Sequence, residues 1–73
     1  MDNNALPVNH PMNKLRRIIQ GKIDNESYTW YRVAFDNNIH APSLYRFRNG
    51  GGLDGENTIK LMAYFKINLE DLK

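Results

Sequence analysis

The sequence predicts an all-α fold, and three observations carry that prediction. Apolar residues recur three and four apart in successive stretches, the period of a helix with one buried face. Gly, Asn and Pro fall between those stretches, where helices start and stop. The only β-like runs are too short to build a sheet.

Taken in order, Met1–Pro11 holds three Asn and two Pro, with His10 between Asn9 and Pro11, and has no helical or strand period. It reads as a flexible N-terminal arm over residues 1–11, leaving 12–73 as the folded domain. Such arms sometimes wrap DNA, but this one has no Lys or Arg. Met12, Leu15, Ile18, Ile19 and Ile23 then recur at helical spacing, with Lys14, Arg16 and Arg17 assigned to the outer face. That first helix is expected to end near Gln20–Lys22, with Gly21 as a fraying or capping point. Its basic face suits either solvent or a phosphate contact.

Ile23–Ser27 is polar turn material, and Ser27 and Thr29 both qualify as caps of a second helix reaching about Asp36. Trp30, Val33 and Ala34 are its inward positions, and Tyr28 and Tyr31 lie to the sides. Asp36-Asn37-Asn38 ends it, since Asn accepts a left-handed φ more readily than most residues. Ile39–Gly50 holds a third helix of about two turns. Pro42 suits its first turn, where a missing N–H costs no hydrogen bond, and Asn49-Gly50 suits its exit. Leu44 and Phe47 form its apolar underside, while Ser43, Tyr45 and Arg46 fall to the other sides. His40, at its start, reads as a helix cap rather than a ligand.

Gly50-Gly51-Gly52 makes a turn, and without a following Gly-Lys-Ser/Thr it is no P-loop. Asp54 and Glu56 mark the start of a fourth helix, where carboxylates favour the positive dipole end. Its expected apolar stripe is Ile59, Met62 and Phe65, with Leu61 alongside. Ile67–Leu72 is a last short turn expected to return Leu69 and Leu72 to the core.

Composition narrows the function. Seventy-three residues make one domain, which buries only about 60% of its unfolded surface and keeps a net stability of a few kcal/mol. With no Cys, neither disulfides nor a thiolate zinc site contributes. His10 and His40 lack a partner at ligand spacing, so no metal and no cofactor is expected. There is no Ser-His-Asp set in a supporting context, and Asp54 and Glu56 serve as helix-start acids, so no catalysis is expected. No apolar run approaches the roughly 18 residues of a membrane span, and the polar start is no signal peptide. A soluble, cytoplasmic protein with no membrane partner is expected.

The net charge is +2, unevenly spread. Met12–Arg48 carries seven bases against three acids, a balance of +4, and the remainder carries three bases against five acids, or −2. A basic two-thirds with an acidic tail fits a one-sided polyanion contact, and equally an ordinary mixed surface.

At this point the residues resemble the lambda-repressor-like, Xre/Cro-type helix-turn-helix domains. Val33-Ala34 matches the family's Leu-Ala pair in its second helix, and Asn38-Ile39 stands at its Gly-Val turn. Leu44, Arg46 and Phe47 match its recognition helix, and Asn49-Gly50 that helix's end. Leu53–Leu61, Phe65-Lys66-Ile67 and Asn68–Leu72 are similar to its next helix and close. The likeness spans about Met12 to Leu72.

The resemblance implies a compact four- to five-helix domain with Ala41–Asn49 in the DNA major groove. It places Ala41, Pro42, Ser43 and Arg46 on the base-facing side, with Arg46 as the reader of a guanine edge. Thr29 and Trp30 would stand near a phosphate, Ser43 and Tyr45 would hydrogen-bond phosphates, Arg48 would reach out to one, and Asn49 and Gly50 would meet the backbone. Ala41 and Pro42 replace the family's common Gln or Ser, so readout there is apolar, as against a thymine methyl. Trp30 replaces a frequent Gln, Asn38 a Gly, and Arg48 an apolar residue.

The function implied is sequence-specific binding of double-stranded DNA by a repressor-type transcriptional regulator. A two-turn helix reads few base pairs, so a weak homodimer, favoured on DNA, is expected through the face around Met62–Leu69. The alternative is a protein-interaction module that keeps the scaffold and binds another regulator.

Overall fold

The computed structural model describes residues 10–73, and among them every regular element is helical. Helix α1 spans Pro11–Asn25, α2 Trp30–Asn37, α3 Ala41–Arg48 and α4 Gly55–Phe65, and a 3₁₀ turn at Leu69–Leu72 closes the chain. The radius of gyration, 11.6 Å, is that of a compact globule, close to the roughly 11 Å expected of a folded chain this long. Residues 1–9 of the expected arm lie outside the described residues.

The arm boundary needs correction at its end, because His10 and Pro11 belong to α1. His10 Nδ1 accepts from the Met12 N–H at 3.0 Å, and Pro11 occupies the first helical position. An N-cap followed by Pro is a helix start that composition alone disguised as arm. Helix α1 also runs past Gly21 to Asn25, carried by Ile23, which is buried. The exposed Gly21 costs about 1 kcal/mol relative to Ala but does not stop a helix held by packing.

The remaining starts follow the cap chemistry. Thr29 Oγ1 accepts from Arg32 N–H at 3.0 Å and Asp54 Oδ1 from Asn57 N–H at 3.0 Å. Thr29, not Ser27, is the cap of α2. His40 sits at the cap position of α3 without a side-chain cap bond.

All four helices end the same way. The residue after a positive-φ position sends its N–H back five residues: Tyr28 to Ile23 O, Ile39 to Ala34 O, Gly51 to Arg46 O and Ile67 to Met62 O, each at 2.9–3.0 Å. The positive-φ residues are Ser27, Asn38, Gly50 and Lys66. This is the Schellman arrangement, which satisfies orphan carbonyls and turns the following apolar residue inward. Ile39 and Ile67 are buried accordingly.

The core gathers Leu15, Ile19, Ile23, Val33, Leu44, Phe47 and Leu61, closed by Trp30, Ala34, Ile39, Ile67 and Leu72. Two expected core positions are wrong. In α4 the inward face centres on Leu61, fully buried, whereas Ile59 is 69% exposed. The three-residue spacing 59-62-65 drifts around a 3.6-residue helix, and the real face follows 58-61-65. In the last turn Leu72 reaches the core but Leu69 is 72% exposed.

A polar clasp joins α2 to α4. Tyr28 and Tyr64 hydroxyls each donate to Asp36 Oδ2 at 2.7 Å, and Arg32 Nε donates to Asp36 Oδ1 at 2.9 Å. The two tyrosine rings lie nearly parallel, 6.2 Å apart. No helix among the described residues is long and apolar enough to cross a membrane.

Candidate functional site

The candidate site is the outer side of α3 with the loop after it. Leu44 and Phe47 anchor α3 from below, both fully buried, and the Trp30 ring meets Phe47 edge-on at 6.2 Å. An eight-residue helix is too short to hold itself, so these two side chains fix which residues face out. Pro42, Arg46, Arg48 and Asn49 are exposed, while Ala41, Ser43 and Tyr45 are half-buried.

Pro42, Tyr45, Arg46, Asn49 and Gly50 border one open groove, whose far wall is Gly51–Asp54. Ser43 and Arg46 border a smaller depression beside it, shared with Leu53 and Asn57. Arg46 thus stands on the ridge between the two. Its guanidinium has no hydrogen bond or ion pair among the described residues. Arg48 differs: it stacks on the Tyr45 ring, 4.8 Å from its centroid, and Nε donates to Asn49 Oδ1 at 3.3 Å. That stacking holds Arg48 over α3 with its charge exposed.

The other sequence-derived positions lie apart from this groove. Trp30 is only 7% exposed, and its ring N–H donates to Gln20 Oε1 at 2.9 Å. Its indole is therefore a core group, and Trp30 offers an outside ligand only its backbone at the start of α2. Thr29 is exposed, with Oγ1 already accepting the cap bond. Ala41 packs against the core cluster.

Periodicity assigns Arg16 to the outer face, and the structure turns it onto α3. Its guanidinium lies 4.9 Å from the Phe47 ring centroid. Nε donates to Phe47 O, Nη2 to Gly51 O at 2.7 Å, and Nη1 to Asn13 Oδ1. Burial, and then the neighbouring Arg17 charge, lower its pKa from the usual value. A cation at the C-terminal end of α3 also complements that helix's dipole. Nothing in residues 14–17 alone marks Arg16 out from Arg17; only the position of Phe47 does.

Asp54 reaches the groove wall but its carboxylate caps α4. Among the described residues no group of three His, Asp or Glu stands ready to hold a metal ion. The arrangement offers a convex helix with a guanidinium unengaged among the described residues, small apolar groups at its front and backbone at its rear. No protein-family model, curated protein or solved structure matches this chain.

Proposed function

We propose that this chain is a lambda-repressor-like helix-turn-helix domain that binds double-stranded DNA sequence-specifically as a repressor-type regulator. The observation that carries the reading is α3 itself: a two-turn helix anchored by Leu44 and Phe47, presenting Ser43, Arg46 and Asn49, with no hydrogen bond or ion pair on the Arg46 guanidinium among the described residues. Eight residues span about 12 Å, which matches the width of the major groove. Arg46 reads a guanine edge, Pro42 and Ala41 give an apolar front, and Ser43, Tyr45, Arg48, Asn49 and Gly50 meet the backbone. The N-terminus of α2, at Thr29 and Trp30, supplies a further phosphate contact through its N–H groups.

A helix this short needs a second copy on a two-fold site. Ile59 and Leu69, both exposed, border a shallow apolar surface with Met62 and Ala63, and they support a weak dimer through that face.

The test is anisotropy of labelled duplexes selected from a random pool by this protein, titrated at several salt concentrations with unselected DNA as competitor. About five phosphate contacts give a log–log salt slope of roughly −4 to −5. Arg46→Ala is expected to lower selected-site affinity about tenfold to a hundredfold, the loss of one guanine contact. A second reading, a protein-interaction module, draws on Tyr31 and Phe35, 63% and 73% exposed. Failure to enrich or bind any duplex at low salt would favour it.

A further inference from the structure

We infer that Arg16 is a positioning residue for the α3 surface, holding the exit of α3 and the glycine loop in one fixed relation. The inference rests on the DNA-binding reading for its ligand, but its structural part can be tested on the free protein. Three contacts define it: the guanidinium covers the Phe47 ring, donates to Phe47 O, and donates to Gly51 O four residues further on. Phe47 is the buried anchor of α3 and Gly51 is the middle of the loop, so one planar fork spans the point where helix becomes loop.

The loop side of that fork leaves little freedom. Gly51 N–H returns to Arg46 O at 2.9 Å and Gly50 N–H to Phe47 O at 3.1 Å. A Cβ placed on Gly51 would stand 3.1 Å from both Arg46 Cγ and Arg46 O. Gly51 is therefore clasped between Arg46 on one side and Arg16 on the other, and its position sets where the stem of Arg46 lies. Arg16 has no acidic partner in these contacts; its acceptors are two backbone carbonyls and the Asn13 amide oxygen. Two carbonyls bonded by Nε and Nη2 of one guanidinium call for a fork, and the single ammonium of Lys does not reproduce it. Arg16 acts on the ligand through Arg46 and the loop, without touching the ligand itself.

The experiment compares wild type, Arg16→Met and Arg16→Lys. Amide exchange of Gly51, measured by NMR against the core amide of Val33 in the same sample, reports loop order independently of global stability. Arg16→Met is expected to speed Gly51 exchange relative to Val33 at least tenfold, and Arg16→Lys to recover only part of that protection. With the selected duplex, Arg16→Met is expected to lose about tenfold in affinity while binding to unselected DNA keeps its salt slope. Unchanged Gly51 exchange in Arg16→Met would overturn the inference. A salt slope reduced by about one would also overturn it, since Arg16 would then be a phosphate contact. Should the Met variant not fold, Arg16→Lys, which keeps stem and charge, carries the same comparison. If wild type binds no DNA while the exchange result holds, the functional reading fails and the clamp stands.

Discussion

The three consecutive glycines at 50–52 look interchangeable in the sequence, yet the structure assigns them different constraints. Gly50 has φ +115°, a backbone region L side chains rarely adopt, and nothing lies near its would-be Cβ. Gly50→Ala is therefore a pure strain test, with a cost of about 1–3 kcal/mol. Gly51 has no such φ, but its Cβ would press on Arg46 O, a backbone atom already held by Gly51 N–H. Overpacking of that kind costs about 1–3 kcal/mol, offset by the roughly 0.4–1 kcal/mol gained when Ala stiffens the unfolded chain. A net loss of about 1 kcal/mol follows from those two ranges. Gly52 has neither constraint, so Gly52→Ala keeps only the gain, about 0.4–1 kcal/mol. In a domain this size 1 kcal/mol moves Tm by about 4–8 °C. Thermal melts followed by circular dichroism should rank the variants Gly52→Ala above wild type, then Gly51→Ala, then Gly50→Ala. Equal losses at all three positions would refute the reasoning, and so would a Gly51→Ala protein more stable than wild type.

Four further outcomes can be measured on the same footing. The hydroxyls of Tyr28 and Tyr64, and then Arg32, hold the Asp36 carboxyl below its ordinary range. The folded state thus binds that proton more weakly than the unfolded chain; the stabilisation is complete above about pH 4 and disappears as pH falls through the folded value. The Tm difference between wild type and Asp36→Asn should therefore be largest near neutrality and shrink on acidification. Burial first, and then the bonds to Tyr28 and Asp36, raise the Tyr64 pKa. That contribution is present below about pH 10 and is lost above it, so Tyr64→Phe should flatten the alkaline limb of the same curve. In α4, Leu61→Ala should cost about 2–5 kcal/mol in urea unfolding. Ile59→Glu, on the exposed side, should stay within about 0.5 kcal/mol while abolishing any self-association seen by light scattering.

Much of this architecture is legible in the sequence because local chemistry and tertiary packing agree. Thr29 and Asp54 cap helices, Asn38 and Gly50 leave them at positive φ, and Leu44 and Phe47 set the face of α3. The misses have two physical causes: helix ends set by cap and closure geometry that composition hides, and faces set by what lies across the core. Ser27 and Lys66 take positive φ although neither residue type favours it, because the N–H groups of Tyr28 and Ile67 must turn back to close α1 and α4. Arg16 and Arg17 are equivalent by composition, and only the approach of Phe47 separates them. Leu61 rather than Ile59 faces inward, because a stripe of three residues does not fix the phase of a helix and packing against the neighbouring helices does.

That dependence bears on how α3 can act. A two-turn helix has almost no stability of its own, so the direction of Arg46 is inherited from the groups that hold α3's two ends. At the front, the buried Ile39 closes the turn from α2 through its bond to Ala34 O. At the rear, Arg16 and the glycine loop grip Phe47 O and Arg46 O. Substitutions at Ile39 or Arg16, neither of them on the outer face, should therefore alter what Arg46 can reach, whereas changes at exposed Arg48 should leave the direction of Arg46 unchanged. A surface specified by its supports can be retuned from beneath without replacing any of its exposed residues.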